Sequence, residues 1–396
     1  MKKLLIMFIV IAMLFSFSFA ANAENGVTED SVKIGSFQAL SGPVAFIGVS
    51  MKKGMVAYFN WINENGGVNG RDVDLLVVDD QFQPSKTVVE VKRMVEQDNI
   101  FSIVGGLGTP GCLAVMDYLN EKGVPFVYQG SGSSKLSIPP KNYIFSVQPN
   151  YITEAKLVGK YLTEIVKKRR IGMIYRADEA GKEAFKSLRD WLAENGMEDR
   201  LSRAIAVEPD KTSFDNEIIK LMQSGADSVY LLTFLSQTAN ILKQSANYGF
   251  EPLFVGAYPN ADLQILSLAG QAAQGFESMA WVDLGDPESE VYQKYISIFQ
   301  ETYPEEIPDA YAAAGFIAAE IFTEALERAG EDPTRAKLVK ALEGMDSWQG
   351  LITPLITYSE FNPDNEMCRT GLQAMYVMKI QGEEFVKHED WIKLGE

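Results

Sequence analysis

A strand–loop–helix–strand–loop unit at residues 101–136 constrains the fold of this chain more than any other stretch. Two short apolar runs, Ile103–Val104 and Val124–Val127, each end in a loop of glycine and small polar residues, with an amphipathic segment between them. This is the pattern of a βαβ unit. Because the crossover is right-handed and the strands are parallel, both loops should lie at the same edge of the sheet. Ligands of open α/β sheets bind at that edge.

The composition of the two loops favours an anion. The first loop contains Thr109, Pro110, Gly111 and Cys112. The second loop contains Gly130, Ser131, Gly132 and Ser133. The first loop also begins a helix, whose free N–H groups and dipole attract negative charge, and the hydroxyls can donate or accept. The sequence predicts a pocket that holds a small carboxylate without a charged side chain, although turns contain such residues for structural reasons as well.

The same alternation of short apolar runs and amphipathic segments extends from Val32 to Trp281, which predicts parallel sheets covered by helices on both faces. A chain of 396 residues is too long for one typical core. The strands fall into two sets, before and after Pro149, so we predict an α/β fold of two doubly wound parallel-sheet lobes. Three helices and two strands should complete the chain, at residues 288–301, 309–329, 333–343, 352–357 and 372–380.

Residues 1–23 have the features of a secretory signal peptide. Lys2 and Lys3 precede an apolar run at 4–19, and Ala21-Asn22-Ala23 is a small-x-small cleavage site. The alternative, a membrane anchor, is disfavoured because the apolar run is short for a span. No cysteine lies near Ala23 to carry a lipid. We therefore expect cleavage near Ala23 and a periplasmic location.

The charge of the chain excludes some classes of partner. Removal of residues 1–23 takes away two lysines and no acids, which leaves 34 basic against 53 acidic residues and a net charge of −19. So acidic a protein is a poor partner for nucleic acid or for anionic lipid, because both are negatively charged. We expect a freely diffusing monomer that does not bind nucleic acid.

The scarcity of cysteine and histidine argues against metal sites and catalysis. Cys112 and Cys368 could form a disulfide in an exported protein, but we favour two free, buried thiols. His388 is the only histidine, and we expect it to be exposed. The chain thus lacks the usual zinc ligands and histidine-dependent triads, so we predict no metal, no cofactor and no enzymatic activity. The Asp79-Asp80 pair is a weak acid–base candidate, since adjacent strand residues point to opposite faces.

Three further stretches, taken with the unit at 105–134, resemble a known family. They are Leu40-Ser41-Gly42-Pro43 followed by Gly48, the turn from Glu64 to Gly70, and Asp79-Asp80. In this order they resemble the type I periplasmic solute-binding proteins of the leucine/isoleucine/valine-binding family, over essentially the whole chain after residue 23. The resemblance implies a receptor that collects a small solute and delivers it to the permease subunits of an ABC importer in the inner membrane.

The family's chain crosses between its lobes three times. The resemblance places these crossings near Pro149, Met279 and Ser359, as a three-segment hinge. It implies that residues 24–148 and 280–358 form lobe 1, and that residues 149–279 and 359–396 form lobe 2. A ligand that touches both lobes would then stabilise a closed form.

The resemblance also assigns ligand contacts. The loop at 109–112 matches the one that holds an amino-acid carboxylate, and the loop at 130–133 matches the one that meets both carboxylate and ammonium. Phe46 and Ile47 match apolar walls, and Phe234 matches an aromatic contact.

The chain departs from the amino-acid binders at one position that decides the ligand class. Tyr258 stands where those proteins carry a glutamate for the α-ammonium. A buried ammonium without a carboxylate partner is costly, so a ligand without an amino group fits better unless Asp178, Glu179 or Asp262 substitutes. The chain also resembles the branch of this family that binds aromatic acids. Tyr258 and Phe234 are suited to stack on the ring of such a ligand.

Two functions follow as hypotheses. The first is the binding protein of an importer for a hydrophobic amino acid or an aromatic acid. The alternative is a ligand-sensing subunit of a membrane receptor, which would keep the same fold and cleft. Both are non-enzymatic, and they differ only in the membrane partner.

Overall fold

The computed structural model describes residues 24–42, 44–282 and 288–394, so the predicted signal peptide and Pro43 lie outside the described residues. The first sheet is wholly parallel and has the order β2-β1-β3-β4-β5. Its strands are β1 Ser31–Gln38, β2 Asp72–Asp79, β3 Ile103–Leu107, β4 Phe126–Gly130 and β5 Ile144–Phe145.

The second sheet has seven strands in the order β12-β11-β10-β9-β8-β6-β7. They are β6 Ile171–Arg176, β7 Leu201–Val207, β8 Ser228–Leu232, β9 Leu253–Gly256, β10 Glu277–Ala280, β11 Met375–Gln381 and β12 Glu384–Ile392. The five strands from β6 to β10 are parallel to one another. The two-lobe α/β architecture predicted from the sequence is confirmed.

Eleven helices are found among the described residues, and they cover the sheets. Those that follow strands of the first sheet are α1 Ala45–Glu64, α2 Pro84–Glu96 and α3 Thr109–Glu121. The next five are α4 Tyr151–Lys160, α5 Glu179–Glu194, α6 Asp215–Ser224, α7 Leu235–Asn247 and α8 Gln264–Ala269. The last three are α9 Glu290–Thr302, α10 Ala310–Ala329 and α11 Arg335–Glu343. None of the described helices is long and apolar enough to cross a membrane.

Helix α10 returns to the first sheet from the far end of the chain and packs closely on α1. A Cβ atom on Gly54 would lie 1.9 Å from the carbonyl oxygen of Ala312, and one on Gly315 would lie 2.0 Å from that of Met51. Only glycine permits the two backbones to approach so closely. This contact fixes the late helices against the first lobe, which shapes one wall of the gap between the lobes.

Three predictions about the late strands are corrected. The segment 352–357 is not a strand, because Glu320 accepts hydrogen bonds from the backbone N–H groups of Leu351, Ile352 and Thr353 and leaves them unavailable to a sheet. Strands β11 and β12 run antiparallel to their neighbours, whereas the alternation predicted parallel pairing throughout. Strand β12 was missed, because its polar sequence, EFVKHEDWI, lacks an apolar run.

We infer from contacts of residues 370–372 that the last crossing between the lobes lies later than the resemblance implies. Thr370 pairs with Ser146 beside the first sheet, and Leu372 N–H donates to the carbonyl of Val147 at 2.9 Å. These contacts favour a third crossing after Leu372 rather than near Ser359. The other lobe boundaries stay a prediction.

Candidate functional site

A cavity of about 250 Å³ lies between the two lobes, at the carboxyl ends of their parallel strands. From the first lobe its wall includes Thr109, Pro110 and Gly130, as the position of the two small-residue loops predicts. From the second lobe it includes Phe234 and Tyr258. Residues of both lobes thus face one enclosed space at the edge where ligands of open α/β sheets bind.

The two small-residue loops meet through their hydroxyl groups. Thr109 Oγ1 lies 2.7 Å from Ser131 Oγ, and Ser131 Oγ also accepts a hydrogen bond from Ser133 N–H at 3.1 Å. Two hydroxyls have two protons, and their mutual hydrogen bond uses one of them. One proton therefore remains, and it is available to a ligand in the cavity when Ser131 is the donor and Thr109 the acceptor. Thr109 forms the cavity wall and Ser131 lies behind it.

The second lobe contributes a buried cation that the sequence analysis missed. Arg176, the last residue of β6, lines the cavity and is 6% exposed. Its guanidinium lies 4.4 Å from the ring centroid of Phe234 and also interacts with the Tyr151 hydroxyl. The prediction of a pocket without a charged side chain is therefore wrong. The signal that could have identified it is a charged residue at the end of an apolar strand.

Asp178 holds this arginine in place. Its Oδ2 accepts from Arg176 Nε at 2.8 Å, and its Oδ1 accepts from Gly181 N–H at 3.0 Å as the N-cap of α5. The other carboxylate in the described cavity wall, Glu179, forms an ion pair with Lys135. Asp262 is buried outside the cavity wall. The wall thus offers no uncommitted carboxylate to an ammonium group.

Tyr258 is fixed on three sides. Its ring stacks on Tyr151 with centroids 5.8 Å apart and planes 13° from parallel. Its hydroxyl accepts from Gln148 Nε2 at 2.9 Å, and its backbone N–H donates to Glu154 Oε1 at 2.7 Å. Tyr258 is therefore packed firmly against its neighbours, and it also forms part of the cavity wall.

Comparison with known proteins decides the family. Residues 31–384 match the family model described as periplasmic binding protein. The chain belongs to this family. The resemblance noted in the sequence is thereby confirmed.

Its relatives are similar along most of their length. The chain is 25% identical over 330 residues to a Leu/Ile/Val-binding protein homolog of Brucella melitensis, a match that covers 83% of this chain and 87% of the relative. It is 24% identical over 256 residues to the leucine-specific-binding protein of Salmonella typhimurium, covering 65% and 69%.

Two solved structures whose names give different classes of transported solute share the fold to the same degree. A fatty acid ABC transporter substrate-binding protein from Thermomonospora curvata has a TM-score of 0.83 at 20% identity, covering 94% of this chain and 95% of that one. A branched chain amino acid ABC transporter structure from Thermus thermophilus with bound valine also has a TM-score of 0.83 at 20% identity, covering 93% and 98%. The fold alone does not select between such ligands.

Of the other predicted contacts of this periplasmic binding protein, two lie in the cavity wall and six lie outside it. Among the described residues the wall includes Ile47 and Asp178 but not Phe46, Gly111, Cys112, Ser131, Gly132 and Ser133. Successive helical residues turn by about 100°, so Thr109 and Pro110 face the cavity while Cys112 is buried in the core of the first lobe. Phe46 packs edge-on against Tyr311, with ring centroids 5.9 Å apart.

The second loop has a structural role on its far side. A Cβ atom on Gly132 would lie 2.7 Å from the Tyr258 hydroxyl, so this glycine lets the lobes approach. Ser133 Oγ donates to Glu183 of α5 at 3.2 Å, and Ser134 Oγ donates to the same carboxylate at 2.8 Å. The loop that begins at the cavity therefore continues as a contact between the lobes.

The cysteines and the histidine occupy structural positions. Cys112 and Cys368 are free and buried. His388 lies in β12 with 37% of its side chain exposed, and its Nε2 is 3.4 Å from Glu277 Oε1. His388 is thus exposed, as expected, although it lies in a strand beside a carboxylate. In the part of the chain that the structure describes, no group of three acidic, histidine or cysteine side chains could hold a metal.

Glu154 is a second buried ionisable residue that the sequence analysis did not identify. Its carboxyl group accepts from Tyr258 N–H and, at 3.2 Å, from the Tyr230 hydroxyl, and no part of the residue is exposed. Burial raises the pKa of Glu154 to about 8, because desolvation disfavours the charged form. At neutral pH most of this carboxyl is therefore protonated.

We expect Glu154→Gln to remove a pH dependence of stability. The pKa in the folded protein lies above the ordinary value of 4.5, so the folded state binds the proton more tightly than the unfolded state. The stability that the proton contributes is full below about pH 4.5 and falls towards pH 8, by up to about 1.4 kcal/mol per pH unit. Urea denaturation at pH 5, 7 and 8.5 should show a steeper decline for the wild type than for the variant. Equal slopes would contradict the assignment.

Proposed function

We propose that this periplasmic binding protein is the ligand-binding component of an ABC importer, and that its ligand is a small carboxylate with an apolar body and no ammonium group. The observation that carries the proposal is the buried Arg176 guanidinium in the cavity between the lobes, across from the Thr109 hydroxyl.

Neighbouring residues hold the Arg176 side chain in an orientation that suits an anion. Asp178 accepts from its Nε, the Tyr151 hydroxyl interacts with the guanidinium, and Phe234 supports its flat face, which leaves the other guanidinium N–H groups for a ligand in the cavity. Arginine binds carboxylates through such paired N–H groups, and hydrogen bonds between charged partners are the strong ones. Because Asp178 and Phe234 fix the side chain, little entropy is lost on binding.

The carboxylate would be shared between the lobes. Tyr151 interacts with Arg176 and lies against Gly132, so the second-lobe arginine is near the loop that carries Ser131. Thr109, hydrogen-bonded to Ser131, offers its hydroxyl from the first lobe. A single carboxylate held by Arg176 and Thr109 would join the lobes and favour the closed form.

The rest of the cavity suits an apolar body. Met51, Phe82 and Leu113 line it from the first lobe, and Trp281 and Met378 complete the wall. A volume of about 250 Å³ lies below the range of about 300–1,000 Å³ that is common for drug-sized ligands. The ligand is therefore small, and burial of its hydrocarbon part contributes roughly 25 cal/mol per Å² of apolar surface.

Among the residues that the structure describes, the wall offers no free counter-charge to an ammonium group. Asp178 is bonded to Arg176 and to the backbone of α5, and Glu179 pairs with Lys135. A buried cation that lacks a partner costs several kcal/mol. This favours a carboxylate such as an aromatic or branched aliphatic acid over the amino acids named for the Brucella and Salmonella relatives.

The remaining parts of the proposal rest on the family. Proteins with this fold include, by their titles, substrate-binding components of ABC transporters for a fatty acid and for branched chain amino acids. We propose a periplasmic monomer that docks on permease subunits in the inner membrane, with residues 1–23 as the cleaved signal peptide.

Calorimetry with matched acids tests the ligand class. 4-Methylpentanoate and leucine share a side chain and differ by the ammonium group, as do 3-phenylpropanoate and phenylalanine. We expect the acid without the ammonium group to bind at least about tenfold more tightly in one pair, and to add about 2.7 kcal/mol of stability at 100 times its Kd. Tighter binding of the amino acids would overturn the ligand class. Failure of all four, and of longer-chain monocarboxylates, would overturn carboxylate binding itself.

A further inference from the structure

Gln148 has a buried acceptor that no described residue satisfies. The residue is 4% exposed and lies in the cavity wall just before the first crossing between the lobes. Its Nε2 donates to the Tyr258 hydroxyl at 2.9 Å, whereas its Oε1 is buried and without a hydrogen-bond partner. A buried acceptor left unpaired is unusual in native proteins and calls for an explanation.

Several donors close to Gln148 in the chain are committed elsewhere. Tyr258 N–H donates to Glu154, and Tyr151 N–H donates to the carbonyl of Gly132 at 2.6 Å. Thr153 N–H donates to the side chain of Asn150, whose own Nδ2 is unpaired and forms no hydrogen bond with Gln148 Oε1. Because Gln148 lines the cavity, a ligand there can supply the missing donor.

Gln148 is also held firmly enough to discriminate. Its amide is tied to Tyr258, whose ring is stacked on Tyr151 and whose backbone is bonded to Glu154. Turning the amide away would break the bond to Tyr258. A fixed polar group in an otherwise apolar wall is the usual source of orientation and specificity in small-molecule sites.

We propose that the ligand carries a hydroxyl group and that Gln148 Oε1 accepts its hydrogen bond. This rests on the proposed function and narrows the ligand to a hydroxylated carboxylate. A hydroxyl can both donate and accept, so it also fits the amide in its other orientation. An ammonium donor is disfavoured, since an amide oxygen does not neutralise a buried charge.

Such a site should reject analogues that lack the hydroxyl. The analogue leaves Gln148 Oε1 unpaired and also excludes the water that would otherwise bond to it, which is why polar sites discriminate better than apolar ones. Because the ligand hydroxyl and the Gln148 amide are both uncharged, we expect the hydroxylated acid to bind roughly 10- to 100-fold more tightly than its analogue.

The test uses two matched pairs that differ only by a hydroxyl. They are 3-(4-hydroxyphenyl)propanoate with 3-phenylpropanoate, and 2-hydroxy-4-methylpentanoate with 4-methylpentanoate. Calorimetry on the full protein should show at least tenfold tighter binding of the hydroxylated acid in one pair. Gln148→Leu should erase that preference, because it removes the acceptor that the acid without the hydroxyl leaves unpaired. The two acids of the pair should then bind with affinities within about threefold of each other.

A second variant keeps the inference testable if Gln148→Leu does not fold. Tyr258→Phe removes the hydroxyl that anchors the amide and retains the ring, so it should reduce the hydroxyl preference by a smaller factor. A preference under threefold in both pairs, with the carboxylates still binding, would overturn this inference and leave the proposed function standing. A preference that survives Gln148→Leu would overturn it as well. No binding of any of the four acids would overturn both.

Discussion

Replacing Arg176 with methionine is expected to weaken carboxylate binding by at least about 100-fold. The change removes the charge-assisted hydrogen bonds to the ligand, worth about 1.5–3 kcal/mol. It also leaves Asp178 without its cation, so an uncompensated negative charge then lies close to the negative ligand. A loss of about 1.4 kcal/mol corresponds to a tenfold change, and the two effects together exceed twice that value.

A double variant separates the two effects. Asp178→Asn keeps an oxygen to cap Gly181 N–H and removes the charge. Arg176→Met with Asp178→Asn should therefore bind more tightly than Arg176→Met alone, and still more weakly than the wild type. Arg189→Met is the matched control, since Arg189 is exposed and pairs only with its neighbour Asp190 among charged groups. Binding by Arg176→Met within threefold of the wild type would move the anion site elsewhere.

Replacing Arg369 with methionine is expected to lower the free energy of unfolding by about 3–5 kcal/mol. The Arg369 side chain is completely buried and lies 2.6 Å from the Glu343 carboxylate. It also donates to the backbone carbonyls of Lys141, Asn142 and Ser359. Methionine would fill much of the space, but it would leave Glu343 and three carbonyls without these donors.

The expected loss of unfolding free energy depends on where Arg369 lies in the fold as well as on its charge. Arg369 joins the segment that precedes the third crossing to the end of the first sheet, and its guanidinium lies 4.4 Å from the ring centroid of Phe145. Urea denaturation of the ligand-free protein measures the loss. Arg328→Met is the control, because Arg328 forms an exposed pair with Glu324 on α10 that should contribute under 1 kcal/mol. Equal effects of the two changes would refute the structural role.

The sequence was sufficient to predict that the two small-residue loops of the first lobe meet. Thr109 and Ser131 were predicted to converge because each follows a strand of one βαβ unit, and their oxygen atoms are 2.7 Å apart. This worked since the handedness of the crossover fixes the edge at which both loops lie. The prediction failed for Cys112, because a matching loop does not say which helical face meets the ligand.

The second-lobe residues were harder to predict, because their roles arise from contacts across the chain. Arg176 had no motif around it, and its importance depends on Phe234, Asp178 and Tyr151, which come from separate elements. No sequence motif marked Gln148 or Glu154 either. Burial, which makes an arginine, an amide or a carboxyl functionally distinctive, is a property of the assembled lobes.

The sequence by itself determined the two parallel-sheet lobes and the sheet edge at which the cavity lies, since these follow from local periodicity and from the handedness of βαβ crossovers, and its motifs indicated the family. Only the tertiary structure decided the polarity of the cavity. The lobes bring together Arg176 and Thr109, which are distant in sequence, and enclose Gln148. Once water is excluded, a single charge or an unpaired oxygen acts far more strongly than it would on a surface.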